Sequence, residues 1–112
     1  MPTAKGHEER ARENPSMFGD AGIPLLLSRM ASLGGRKDRM VVGVFGGASM
    51  FRDEQVFKIG IQNARAAKKI LWQQCMRITH EDTGGHSSRT VEIEVGSGRI
   101  RLHKDGKNQF FE

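Results

Sequence analysis

Tyrosine is absent from these 112 residues, and tryptophan and cysteine occur once each, as Trp72 and Cys75. A lone cysteine excludes an internal disulfide and suits a reducing compartment. The scarcity of aromatic stackers argues against a nucleic-acid surface, which interleaves aromatics with concentrated positive charge. Net charge is +5, but the bases are dispersed. Arg36, Lys37 and Arg39 form the densest patch, followed by Lys68-Lys69 and by Arg99, Arg101, Lys104 and Lys107. That distribution reads as a solvated basic surface, which an acidic protein partner could use. No run is long and apolar enough to span a membrane, Ile23 to Leu27 being the longest candidate, and Met1 to Arg10 lacks the apolar stretch of a secretory signal. A single cytoplasmic domain with no direct membrane insertion is expected. Its size permits one modest core that buries roughly two thirds of the unfolded surface.

The most informative stretch runs from Met40 to Phe51. Met40 to Phe45 has the length and β-branched content of a buried strand. It ends on Gly46-Gly47, where the backbone can take angles closed to other residues and another group can approach closely. A strand that stops there and returns through a helix puts its carboxyl end on one rim of a sheet, the usual place for a site in open α/β folds.

Residues 1 to 16 are polar and charged, contain Pro2 and Pro15, and read as a flexible lead-in with room for a short charged helix from Glu8 to Glu13. Asp20 is placed to cap a helix reaching Leu33, with Ile23, Leu26, Leu27, Met30 and Leu33 on its buried face and Gly34 as a left-handed cap. A second helix is expected from about Ile59 to Gln74. Ala64, Ala67, Leu71 and Cys75 share its inner face. A crossover then leads to a short strand near Arg77 to His80. Beyond Gly84-Gly85 the period becomes two. A two-residue turn at Ser97-Gly98 would set Val95 opposite Ile100, Ile93 opposite Leu102 and Glu94 opposite Arg101. Lys104 to Glu112 reads as a polar tail whose Phe110-Phe111 tucks against the body.

Three constellations have chemical types worth weighing. Cys75 could be a nucleophile, but a nucleophile needs a base in reach, and its position beside Leu71 favours a small core residue. His80, Glu81, Asp82 and His86 are metal-ligand types, yet Gly84-Gly85 would break the helix that the zinc motif requires, so a hydrogen-bonded polar loop is favoured. Gly46-Gly47 and Gly84-Gly85 could cradle phosphate, but the lysine-containing P-loop and the dinucleotide fingerprint are missing. They serve equally as tight turns or as one rim of a protein-substrate site.

The chain resembles the CheD family. The resemblance rests on Phe45-Gly46-Gly47-Ala48-Ser49-Met50-Phe51, on Ile59-Gly60 with Asn63, on Glu81-Asp82-Thr83-Gly84-Gly85, and on Arg89 leading into Thr90 to Val95. Order and gaps fit, from Asp20 to about Leu102. The family usually has arginine ahead of the asparagine, where this chain has Gln62.

The resemblance implies an α/β/β sandwich over residues 17–112: two helices on a mixed sheet with a C-terminal hairpin, truncated at the N-terminus. It implies hydrolysis of chemoreceptor glutamine side chains to glutamate by a cysteine and a histidine, with no metal or other cofactor. It gives methyl-accepting chemoreceptors as partners and the phosphatase CheC as a further one. The rim facing them would comprise Gly46, Gly47, Ser49, Phe51, Asn63, Asp82, Thr83, Gly84 and Gly85. The family's cysteine and histidine precede its first long helix, the histidine just ahead of a Met-Leu-Pro-like segment whose place Met1-Pro2 takes in this chain. Both would therefore fall before residue 1, and neither His7 nor Cys75 takes their roles. The chain is expected to be either a deamidase body that is inactive by itself, or a non-catalytic module that binds receptor or CheC.

Overall fold

The computed structural model describes residues 3–49 and 54–112. Among the described residues, three α-helices and five strands follow in the order α1 (Glu8–Glu13), α2 (Gly19–Ser32), β1 (Gly43–Gly46), α3 (Glu54–Gln73), β2 (His80–Thr83), β3 (Thr90–Ile93), β4 (Ile100–Lys104) and β5 (Lys107–Phe111), with 3-10 turns at Pro15–Met17 and Lys37–Arg39. β1 and β2 pair in parallel, and β3, β4 and β5 form a separate antiparallel sheet. The fold is α/β, and its parallel and antiparallel pairings lie in different sheets.

Strand alternation explains the layering. Val44 joins the helical core with Val42, Met40 and Ile78 around Leu27, Leu71 and Met76. Its neighbour Phe45 points the other way and meets Phe111 of β5, with ring centroids 5.5 Å apart. β2 divides likewise. The His80 ring meets Phe111 at a tilt, with centroids 4.8 Å apart, and Asp82 reaches Lys104 of β4, whereas Glu81 pairs with Lys68 of α3 at 2.5 Å. Helices α2 and α3 thus cover one face of the parallel pair, and the antiparallel sheet covers the other.

Both long helices end in the same device. In α2, Gly34 has φ +97°, its N–H donates to Ala31 O, and the Gly35 N–H donates back to Met30 O at 2.9 Å. This is the glycine cap expected from Gly34. In α3 the equivalent position is Cys75, with φ +59°. The Cys75 N–H donates to Trp72 O and the Met76 N–H to Leu71 O, and the buried Leu71 and Met76 supply the accompanying apolar contact. Cys75 is therefore exposed, not on the core face. Extending the helical period past residue 73 misplaces it, because the chain leaves the helix there.

Five other expectations change. Asp20 does not cap α2, since Phe18 occupies that position, fully buried; the Asp20 carboxylate instead accepts the Ala4 N–H at 2.9 Å. On α2, Leu27 is buried and Ile23 packs beside it, while Leu26, Met30 and Leu33 lie exposed. α3 begins at Glu54, earlier than Ile59. In the hairpin, Val91 faces Leu102, Glu92 faces Arg101 and Ile93 faces Ile100, two residues away from the expected register. A four-residue loop, Val95 to Gly98, replaces the two-residue turn, closed by bonds from the Glu94 N–H to Arg99 O and from the Gly98 N–H to Glu94 O. A two-residue turn of the favoured type needs positive φ at both positions, and Gly98 has it while Ser97 does not. The expected polar tail is instead β5, joined to β4 by Asp105-Gly106, both at positive φ.

Candidate functional site

Parallel pairing sets Gly46 beside Thr83, so β1 and β2 end at one rim. The two glycine pairs follow immediately and are bonded to each other. The Gly84 N–H donates to Gly46 O and the Ser49 N–H to Gly85 O, each at 2.9 Å. Gly47 sits at φ +67°, and its carbonyl faces Gly60 of α3 so closely that a Cβ built on Gly60 would lie 2.5 Å from Gly47 O. Helix and loop touch there because neither residue has a side chain.

One serine and one histidine add polar atoms to this rim. Ser49 is 3% exposed. The Nδ1 of His86 lies 2.9 Å from Ser49 O, and because a carbonyl only accepts, Nδ1 carries the proton. Ser49 and His86, 37 residues apart in sequence, are thereby held together.

Arg89 fixes the rim from beneath. Its side chain is 5% exposed. Nη2 donates to Asp82 Oδ1 at 2.9 Å and to Gly84 O at 2.8 Å, and Nη1 donates to Ser87 O at 3.2 Å and Gly46 O at 3.4 Å. Lys104 donates to both oxygens of the same carboxylate, at 3.0 and 2.9 Å. Lys104 first, and Arg89 with it, hold the Asp82 carboxyl below the usual carboxylate range, against the opposite push of burial. Glu81 is also lowered, by hydrogen bonds from Lys68 and then Thr83. Arg89 Nε and His80 Nε2 are buried with no hydrogen-bond partner among the described residues.

The structure distributes the residues read as a rim. Gly46, Gly47, Ser49, Gly84 and Gly85 form one bonded loop pair, with Thr83 at its edge, its hydroxyl donating to Glu81. Asp82 turns inward to the antiparallel sheet. Asn63 lies elsewhere, in a cleft of about 190 Å³ shared with Ser16, Met17, Gly19, Ile23, Ala66 and Ala67. Phe51 lies outside the described residues. Sequence reasoning misses His86 and Arg89 as organisers of the rim; the spacing of Arg89 from Gly84 is the available signal. Among the described residues no group of three or more His, Cys, Asp and Glu side chains could hold a metal ion, and no helix is long and apolar enough to cross a membrane.

An α/β domain with a rim of paired glycine loops is the class these features define. The family model described as CheD chemotactic sensory transduction matches residues 1–104. A probable chemoreceptor glutamine deamidase of Solibacter usitatus is 41% identical over 109 residues, covering 97% of this chain and 64% of its own length. A second, from Syntrophus aciditrophicus, is 39% identical over 106 residues, 95% of this chain and 66% of its own. One from Pyrococcus horikoshii is 38% identical over 104 residues, 90% of this chain and 64% of its own. The chain belongs to the CheD family, and it spans about two thirds of the length of these curated relatives.

Proposed function

We propose that this chain is the receptor-facing body of a chemoreceptor glutamine deamidase, with the bonded glycine loops as the surface that meets the receptor. The observation that carries this reading is the family match over residues 1–104 together with a rim built from the residues that match the family's motifs. Backbone carbonyls and N–H groups at such a rim suit recognition of an amide-bearing peptide segment.

Hydrolysis of an amide requires an activated nucleophile and a base that returns a proton to the departing ammonia. The four histidines are engaged away from Cys75. His7 stacks on Phe18, His80 packs tilted against Phe111, His86 bonds at Ser49, and His103 bonds to Asn108. No cysteine–histidine pair therefore forms among the described residues, and on this reading the nucleophile and base belong to residues outside these 112. The chain by itself is then inactive, and CheC meets the same rim.

The test is ammonia release, or a one-dalton mass gain per site, on a chemoreceptor fragment. It uses the 112-residue chain and a version extended through the upstream reading frame. Turnover only with the extended version is expected. Clear turnover by the short chain, abolished by Cys75→Ala, would overturn the assignment of the chemistry. Receptor binding by both versions without turnover would favour a non-catalytic interaction module.

A further inference from the structure

The outer face of α3 is a second surface, apart from the rim. Lys58, Gln62, Arg65, Lys69 and Trp72 follow at intervals of four, three, four and three residues, which is one stripe along the helix. All five are exposed, and the opposite face carries the buried Gly60, Ile70 and Leu71. The stripe extends about 21 Å at 1.5 Å per residue. No Asp or Glu occurs from Gln55 to His80. Lys58, Arg65 and Lys69 make no ion pair among the described residues; the one helical cation that does, Lys68, faces Glu81 on the sheet side. At the end of the stripe stands the only tryptophan, 78% exposed.

Helix electrostatics does not account for the stripe. A cation gains from the macrodipole only near the C-terminus, so Lys69 could benefit but Lys58 and Arg65 could not. Tryptophan and arginine are among the residue types most enriched at positions that dominate binding energy at protein interfaces, and the stripe carries one of each.

We propose that the α3 stripe docks an acidic helix of a partner protein. Lys58, Arg65 and Trp72 recur every seven residues, as do Gln62 and Lys69, which is the repeat that a second helix laid alongside presents. Carboxylates at heptad spacing would meet the cations, and one apolar residue would cover Trp72. A second copy of this chain would set like charges together. A membrane would need a broad apolar face, and the stripe has one large apolar residue. Nucleic acid would need more stacking groups than one. The proposal does not rest on the hydrolytic reading.

Trp72 is a built-in probe, being the sole tryptophan. The chain is titrated with a helix-forming peptide carrying glutamates at heptad spacing and with the same composition scrambled. Phosphatidylglycerol vesicles and a single-stranded oligonucleotide are the other two arms. A saturable blue shift of emission with the heptad peptide alone is expected. Arg65→Glu with Lys69→Glu should weaken it by about tenfold or more, with the far-UV circular dichroism unchanged. Absence of a shift, an equal response to the scrambled peptide, a stronger response to vesicles or oligonucleotide, or indifference to the charge reversal would each overturn the proposal.

Discussion

Arg89 donates to the Asp82 carboxylate at 2.9 Å and, from the same guanidinium, to the carbonyls of Gly84 and Gly46. One buried side chain therefore ties the end of β1, the end of β2 and the second glycine loop. Lysine has a single donating centre and cannot reproduce this fork. Arg89→Lys should cost about 2 kcal/mol and Arg89→Ala about 3 kcal/mol or more, the latter leaving Asp82 with Lys104 alone. Urea unfolding measures both. If Arg89→Lys kept wild-type stability, the fork would not be what holds the loops.

The same carboxylate gives the protein an acid limit. Lys104, then Arg89, depress the folded-state value of Asp82 below the unfolded value of about 3.9. Its contribution is complete above the unfolded value and is lost as pH falls through the lower folded one. Stability should hold from neutral pH to about 5 and decline below about 4. In Asp82→Asn that decline should be shallower, although the variant starts less stable because Arg89 loses its counter-charge. Urea midpoints across pH for both proteins would decide it, and parallel acid slopes would count against Asp82.

Cys75 holds a left-handed position that glycine takes in α2. A side chain there is strained by about 1 kcal/mol. Cys75→Gly should therefore raise stability by roughly 0.5–1 kcal/mol, and Cys75→Ala should be nearly neutral. The exposed thiol should label readily in the folded protein. Slow labelling that appears only on unfolding would return Cys75 to the core.

The hairpin shows which parts of this fold are legible in the sequence. Alternation from Thr90 to Val95 and from Arg99 to His103 identifies two strands and their inward faces, because side-chain direction has period two. A register error of two residues preserves every face, so alternation cannot detect it. The loop decides register, and Ser97-Gly98 has the composition of a two-residue turn without its backbone, whereas Asp105-Gly106 has both. Burial is also unequal in a way no pattern shows: Leu102 is 1% exposed and its neighbour on the same face, Ile93, is 64% exposed, since β4 is central and β3 is an edge. The rim is legible from its glycines. Its fastening is not, because the Arg89 contacts join positions up to 43 residues apart. Leu102→Ala should cost about 3 kcal/mol. Ile93→Asp should cost about 1 kcal/mol or less, far from the unfolding that a buried Ile93 would imply. Equal losses from the two would mean that Ile93 is as buried as Leu102.

Gly60 offers the sharpest check on how α3 meets the rim. In an exposed helix interior, replacing glycine by alanine gains up to about 1 kcal/mol through backbone entropy and propensity. At this position the added Cβ would lie 2.5 Å from Gly47 O and 2.9 Å from the Gly47 carbonyl carbon, both backbone atoms that no rotamer can move aside. Either the helix backs away or the loop shifts, and the loop is bonded across to Gly84 and Gly85 through its neighbours. Gly60→Ala should therefore destabilise by about 1–3 kcal/mol, the range for overpacking, reversing the sign that propensity alone gives. Gln62→Ala, two residues on and exposed, is the control and should be neutral or slightly stabilising. Thermal unfolding of the two variants gives the comparison, and a stabilised Gly60→Ala would mean that α3 does not approach the loop this closely.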